Sequence, residues 1–237
     1  MKNIFTNPQT PQYINFINNL PKIFEQDGEI IYKGRNILKK FVYEGQSIIV
    51  KSYCSPIWFN KFVYRFFRKP KCVRSYEYAD LLIKLGIGSP LPIGYYVETK
   101  GLFIGRTYFA CLESECPYTY RDFRKQEFPN KKDILLAIAD TTAALHENGI
   151  IHKDYSAGNI LFGEFDGKIK VEIIDLNRIR FEKVDLDKGC RNFDRIPGSD
   201  EDLRVMSDQY AKKRNFDPEK CFEIIKQIHG ADNKYIQ

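Results

Sequence analysis

Apolar positions recur along this chain at two spacings. Alternation with β-branched residues marks strands at 29–33 and 37–43, and another after the Gly45 turn that ends at Tyr53. Residues 105–112 read the same way. The 159–162 and 168–174 runs form a hairpin around the turn chemistry of Glu164-Phe165-Asp166-Gly167. The spacing turns helical at 76–85, where Leu81, Leu82 and Leu85 are apolar and Gly86 is a natural stop. It is helical again at 133–145, where Ile134, Leu135, Ile138 and Leu145 share a face that ends at Asn148-Gly149. A helix around 200–213 precedes a last one, which opens with Asp217 as N-cap and Pro218 at the first position; Phe222, Ile225 and Ile228 face its core. Strands dominate the first half and helices the second. The pattern predicts an α+β fold with an antiparallel-sheet N-lobe over 28–115, a short, mainly helical C-lobe over 116–237, and an N-terminal extension over 1–27.

Composition narrows the classes. The chain has 237 residues, 43% of them hydrophobic, enough for one large domain or two small lobes. Its six cysteines include no Cys-x-x-Cys pair and there are three histidines, which argues against zinc. The N-terminus carries no apolar core of signal-peptide length and no run reaches the ~20 residues of a spanning helix. A cytosolic protein with reduced thiols is expected. The net charge of +6 is local: residues 51–76 hold Lys51, Lys61, Arg65, Arg68, Lys69, Lys71 and Arg74 with no acid. In residues 57–68, Phe59, Phe62, Val63 and Phe66 form one helical stripe and Lys61, Arg65 and Arg68 another. This pattern suits an anionic membrane surface through residues 57–74, or an aromatic stripe packed in the core with a solvated cationic face. Nucleic-acid binding is not expected, since base stacking needs the aromatics exposed.

The chemistry concentrates in Ile151-His152-Lys153-Asp154-Tyr155-Ser156-Ala157-Gly158-Asn159, followed sixteen residues later by Asp175. His-x-Asp-x4-Asn ahead of a hairpin that returns an aspartate is the skeleton of a phosphoryl-transfer loop. Asp154 would orient an acceptor hydroxyl and take its proton, while Asn159 and Asp175 offer hard oxygens to Mg²⁺. Upstream, Lys51 sits where a strand lysine would reach the α- and β-phosphates of ATP. Glu77, early in its helix, is its expected carboxylate partner, with Asp80 second. No Gly-x-Gly-x-x-Gly lid occurs; Gly34, Arg35 and Asn36 form the one turn placed to cover phosphates. Glu113 follows the 105–112 strand where an adenine-binding hinge would run. No Ala-Pro-Glu follows Asp175, so the peptide-docking platform of protein kinases is not expected.

Taken with Val50-Lys51-Ser52-Tyr53, Arg74-Ser75-Tyr76-Glu77, Leu85-Gly86-Ile87-Gly88-Ser89-Pro90-Leu91-Pro92-Ile93 and Ile174-Asp175-Leu176-Asn177-Arg178, these residues resemble the bacterial lipopolysaccharide kinase family from about residue 28 to the C-terminus. The resemblance implies a bilobal protein-kinase-like fold, ATP and Mg²⁺. It also implies a lipid-anchored sugar acceptor, foremost Kdo (3-deoxy-D-manno-octulosonic acid), and a peripheral place on the cytoplasmic face of the inner membrane. Leu176-Asn177 stand where Phe-Gly is commoner in kinase-like folds, and Asn159 is retained where some members replace it. Arg178, Arg180 and Arg191 are candidates to bind an acceptor carboxylate or phosphate, or they pair with Glu182, Asp185 and Asp187. No protein partner is expected. The alternatives are a soluble small-molecule kinase of the aminoglycoside or choline type, and a non-catalytic membrane-associated pseudokinase.

Overall fold

The computed structural model describes residues 2–54, 69–100 and 103–232. The amphipathic stretch 57–68 lies outside the described residues. The chain forms two compact units, residues 1–85 with 90–114, and residues 86–89 with 115–237.

The first unit is a six-stranded antiparallel sheet in the order β1-β5-β6-β4-β3-β2. Its elements are β1 (Lys2–Thr6), α1 (Ile14–Asn18), α2 (Leu20–Gln26), β2 (Glu29–Lys33), β3 (Asn36–Tyr43), β4 (Gln46–Tyr53), α3 (Lys71–Lys84), β5 (Pro92–Lys100) and β6 (Phe103–Leu112). Side chains alternate faces along a strand, and β4 uses both. Ile48 and Val50 point to a core built with Tyr13, Phe16, Ile17, Leu20 and Phe24 of the N-terminal segment, together with Phe41, Ile93 and Tyr108. Tyr53 points to the opposite face, where it packs with Cys72 and Val73 of α3 and with Val97 and Ile104. The Tyr53 hydroxyl and Ser75 Oγ are hydrogen-bonded at 2.6 Å, fastening α3 to the end of β4. Lys51, two residues before Tyr53, shares the α3 face. The first 26 residues are therefore part of this unit: β1 adds an edge strand to β5 and α1–α2 cover one face of the sheet. The sequence pattern did not reveal them because α1 is a single five-residue turn and α2 opens on Leu20-Pro21, too short for helical periodicity to register.

The second unit carries β7 (Tyr118–Thr119), a 3₁₀ turn at Tyr120–Arg124, α4 (Lys131–Glu147), β8 (Ile150–His152), β9 (Ile160–Phe165), β10 (Lys168–Ile173), a 3₁₀ turn at Leu176–Arg178, β11 (Ile179–Phe181), α5 (Leu186–Arg191), α6 (Asp200–Arg214) and α7 (Pro218–Asp232). The expected face of α4 is buried at Ile134, Leu135, Ile138 and Leu145. Leu203, Met206, Tyr210, Cys221 and Ile225 bury the corresponding faces of α6 and α7. α6 starts on a capping box, in which Ser199 Oγ accepts from the Asp202 N–H and the Asp202 carboxylate from the Ser199 N–H. Asp217 accepts from the Lys220 N–H at the start of α7. β9 and β10 form the expected hairpin, closed by Asp166 and Gly167, both at positive φ (50° and 72°), the backbone of a two-residue type I′ turn.

A buried polar chain ties these helices to β8. Asn192 Nδ2 donates to the His152 carbonyl at 3.1 Å, so its amide oxygen faces His146 Nε2, also at 3.1 Å. Nε2 must then carry the proton, and Nδ1 accepts from the Tyr210 hydroxyl at 2.8 Å. Burial pushes His146 down to about 4, opposed by its bond to Asn192.

Two expectations follow. Leu20→Ala empties a fully buried position of the N-terminal layer and should cost about 2–5 kcal/mol in urea unfolding; a chain begun at residue 28 should lose cooperative unfolding of the first unit. His146 binds its proton less readily folded than unfolded, so the unfolded state takes up more protons and stability must fall as pH drops from about 6.5 to about 4. The loss should be on the order of 3 kcal/mol, and His146→Gln should flatten that part of the pH profile in urea midpoints taken at intervals between pH 7 and 4.

Candidate active site

The loop 153–159 is held between two ribbons. On one side β8 pairs with β11, with His152 opposite Ile179. On the other β9 pairs with β10, with Ile160 opposite Ile173, and the Ile174 N–H donates to the Asn159 carbonyl at 3.0 Å. Asp175 thereby directly follows the residue bonded to Asn159, as the hairpin reading expects. His152 lies at the centre. Its Nε2 faces the Ile174 carbonyl at 3.1 Å, an acceptor only, so the proton sits there. Its Nδ1 accepts the Asp154 N–H at 3.1 Å. The ring is fully buried; burial holds its pKa below the usual histidine range, against the bond to Ile174 and the nearby Asp175 and Asp154 charges. Tyr155 anchors the loop from below: Thr142 Oγ1 donates to the Ile138 carbonyl at 2.7 Å and accepts from the Tyr155 hydroxyl at 2.7 Å.

Asp154 is partly buried and paired with two guanidiniums, Arg178 at 3.3 Å on Oδ2 and Arg195 on Oδ1. Burial pushes its pKa up, but Arg195 and Arg178 outweigh that and hold the carboxyl below its usual range. It is ionised at neutral pH and a weak base. The Asn159 amide NH₂ donates to the Asp154 carbonyl at 2.8 Å, which turns the amide oxygen the other way, as a cation ligand requires. Asp175 adopts a left-handed backbone (φ 58°, ψ 45°), uncommon for a residue with a side chain. Its Oδ1 accepts from Asn177 Nδ2 at 2.5 Å. Leu176 and Asn177, which replace Phe-Gly, are both buried. One amide oxygen and one carboxylate are the donor set that Mg²⁺ takes while keeping waters and phosphate oxygens. Among the described residues no three or more His, Cys, Asp or Glu gather as a closed metal cage.

Of the three arginines singled out in the sequence, Arg178 reaches Asp154. Arg180 lies exposed on β11. Arg191 donates to Asp187 at 2.8 Å one helical turn away, the pairing weighed as its alternative role. Beside Asp154 stands Arg195 instead. Its segment runs parallel to the loop, with Ser156 bridged to Arg195 and the Ala157 N–H donating to the Arg195 carbonyl at 3.3 Å. Arg121 also approaches: a Cβ on Gly158 would lie 2.6 Å from its guanidinium carbon, so glycine leaves room for it. Neither belongs to a local motif. The one signal was the number of arginines in a chain whose charge is otherwise balanced outside residues 51–76.

In the first unit, β3 pairs with β4 so that Asn36 lies opposite Tyr53 and Leu38 opposite Lys51. The Gly34-Arg35 tip therefore sits at the Lys51 end of the sheet. Lys51 Nζ lies 5.5 Å from the centre of the Tyr53 ring. The Glu77 carboxylate accepts from Lys69 at 2.6 Å, and Asp80 pairs with Lys84 on its own helix at 2.7 Å. Glu113 carries its N–H to the Ser47 carbonyl at 2.9 Å and its carboxylate to Lys40 at 2.6 Å.

Residues 114–216, which contain the loop, Asp175 and Arg195, match the model of the lipopolysaccharide kinase (Kdo/WaaP) family. No curated protein matches by sequence. Among solved structures, "WaaP in complex with acyl carrier protein" is similar over 99% of this chain and 100% of that one, with a TM-score of 0.70 at 11% identity. The Rio2 kinase of Chaetomium thermophilum, in its ADP/Mg²⁺-phosphoaspartate complex, is similar over 93% of this chain and 70% of that one, with a TM-score of 0.52 at 13% identity. At these identities both similarities establish the fold, a bilobal protein-kinase-like α+β fold. With that fold, the matched loop and the Asp154–Asn159–Asp175 set, the chain is a phosphotransferase whose residues 114–216 are similar to the lipopolysaccharide kinase (Kdo/WaaP) family.

Proposed function

We propose that this lipopolysaccharide sugar kinase transfers the γ-phosphoryl group of ATP to a hydroxyl of Kdo in the inner core, on a lipid-anchored acceptor at the cytoplasmic face of the inner membrane. The observation that carries the reading is the pairing of Asp154 with Arg178 and Arg195. Phosphoryl transfer through a loose transition state depends on placement and charge stabilisation more than on a strong base. A carboxylate held below its usual pKa suits that role, because each oxygen keeps a lone pair to orient the acceptor hydroxyl. Arg121, Lys153, Arg178 and Arg195 surround the loop with positive charge, which favours an anionic acceptor. A cationic acceptor of the aminoglycoside or choline type would call for acids there. Asn159 and Asp175 would hold Mg²⁺, which when bound neutralises charge on the phosphates. Lys51, with Glu77, and the Gly34-Arg35-Asn36 tip are assigned to the triphosphate, and the backbone near Glu113 to the adenine. Among the described residues no helix is long and apolar enough to cross a membrane; attachment is assigned to the basic residues of 57–74, each worth about 1 kcal/mol near an anionic surface.

Incubated with ATP, Mg²⁺ and Kdo-bearing lipid A, the enzyme should yield a lipid heavier by one phosphate in mass spectrometry. Turnover of a soluble amino-alcohol in place of the lipid would overturn the assignment. Asp154→Ala should lower kcat by about 10²–10⁴-fold with little change in ATP affinity. Asp175→Ala should abolish the thermal shift given by ATP with Mg²⁺. If the unmodified protein, like both variants, phosphorylates no acceptor and shows no thermal shift with ATP and Mg²⁺, the pseudokinase alternative stands instead.

A further inference from the structure

The second unit contains a half-open cleft of about 280 Å³, lined by Tyr120, Phe123, Arg124, Lys131 and Asp202 and by residues 197–198. Two of its walls continue into the catalytic loop. Tyr120, Phe123 and Arg124 belong to the same 3₁₀ turn as Arg121, which lies against Gly158. Residues 197–198 follow closely on Arg195, which holds Asp154. Residues three apart eclipse in a 3₁₀ helix, so Arg121 and Arg124 stand on one face, the first at the loop and the second in the cleft. The acids nearby have cations of their own. Asp202 pairs with Lys131 at 2.7 Å, and Asp122 with Lys125 at 2.7 Å. Arg121 and Arg124 have no acidic partner among the described residues. The apolar wall is fixed before any ligand arrives: Phe123 stacks on Phe162 with ring centres 5.3 Å apart, and Tyr120 meets it edge-on at 5.0 Å.

We infer that this cleft is a second acceptor subsite, taking an anionic sugar unit adjacent to the one that receives the phosphate, with Arg124 binding its oxyanion. The inference rests on the reading of the acceptor as an anionic sugar chain. The volume is near the lower end of small-molecule sites and suits one ring. A rigid apolar wall accepts the C–H face of a sugar. A guanidinium fork whose neighbouring carboxylates, Asp202 and Asp122, are held by lysines binds a carboxylate or a phosphate through two parallel hydrogen bonds. Arg121 would extend the same positive strip to the loop, so that two successive anionic sugars are read in register with Asp154.

The test separates this subsite from the kinase reading because binding needs no turnover. By titration calorimetry, a Kdo disaccharide carrying both carboxylates should bind the full-length protein about tenfold more tightly than it binds Arg124→Ala. Arg124→Lys should retain part of the difference, and the carboxyl-reduced disaccharide should not distinguish the three proteins. A heptose phosphate is run in parallel. Arg124-dependent binding of this ligand in place of the disaccharide would support the subsite and identify its anion as phosphate. With Kdo-bearing lipid A, Arg124→Ala should raise the acceptor KM and leave kcat and the KM for ATP unchanged. Equal binding of both ligands by the unmodified protein and Arg124→Ala, or binding of neither by the unmodified protein, overturns the subsite. Arg124-dependent binding without turnover of the lipid would retain the subsite and reject the Kdo kinase reading.

Discussion

One neutral imidazole joins the parts of this site. His152 receives the Asp154 N–H on one ring nitrogen and gives its proton to the Ile174 carbonyl from the other. It thereby ties the start of the 153–159 loop to the residue before Asp175, the proposed metal ligand. A charged ring could not do this, because its second proton would face the Asp154 N–H, donor against donor. Burial keeps the ring neutral, and the carbonyl of the same residue is held by Asn192, itself set by His146 and Tyr210. The chain of contacts runs from α4 and α6 through the loop after α5 to the loop that carries Asp154. The packing of the helical unit thus fixes a backbone position at the site, and acid weakens both through the same class of buried histidine.

The second constraint is charge. Asp154 sits where burial alone would favour the neutral acid, yet two arginines keep it ionised. With its pKa depressed the carboxylate loses basicity and gains definition of place, since a guanidinium is anchored on each oxygen. The compromise suits phosphoryl transfer, in which the hydroxyl proton can leave late. On the proposed reading of the acceptor as anionic, the arginines that position Asp154 would also contribute to selecting what reaches it.

How much of this was legible follows from the range of each interaction. Asp154, Asn159 and Asp175 could be read because their spacing is local, through a seven-residue loop and one hairpin. The strands around Lys51 and the face of α4 could be read because periodicity reports burial directly. Arg195 and Arg121 could not, since each meets the loop across more than thirty residues of chain and carries no motif. Asn192 was invisible for the same reason. The N-terminal layer was missed because Tyr13, Phe16, Ile17, Leu20 and Phe24 are spread over a 3₁₀ turn and two short helices, where no single period persists long enough to be seen. Arg191 shows the converse: a nearby acid one helical turn away, legible in the sequence, engages it.

The replacement of Phe-Gly by Leu176-Asn177 brings these threads together. A glycine after the aromatic would leave the segment free to adopt several backbone conformations. Asn177 instead is buried and donates its amide to the Asp175 carboxylate, while Leu176 fills the core beside it. Asp175 can then stay in its left-handed conformation because the next two side chains and the Ile174 backbone bonds on both sides over-determine it. A switch requires two packings of similar energy. Here the small polar residue that replaces glycine supplies a hydrogen bond that only one of them would contain. Asp175, the proposed metal ligand, is therefore held in one conformation by its own neighbours in sequence.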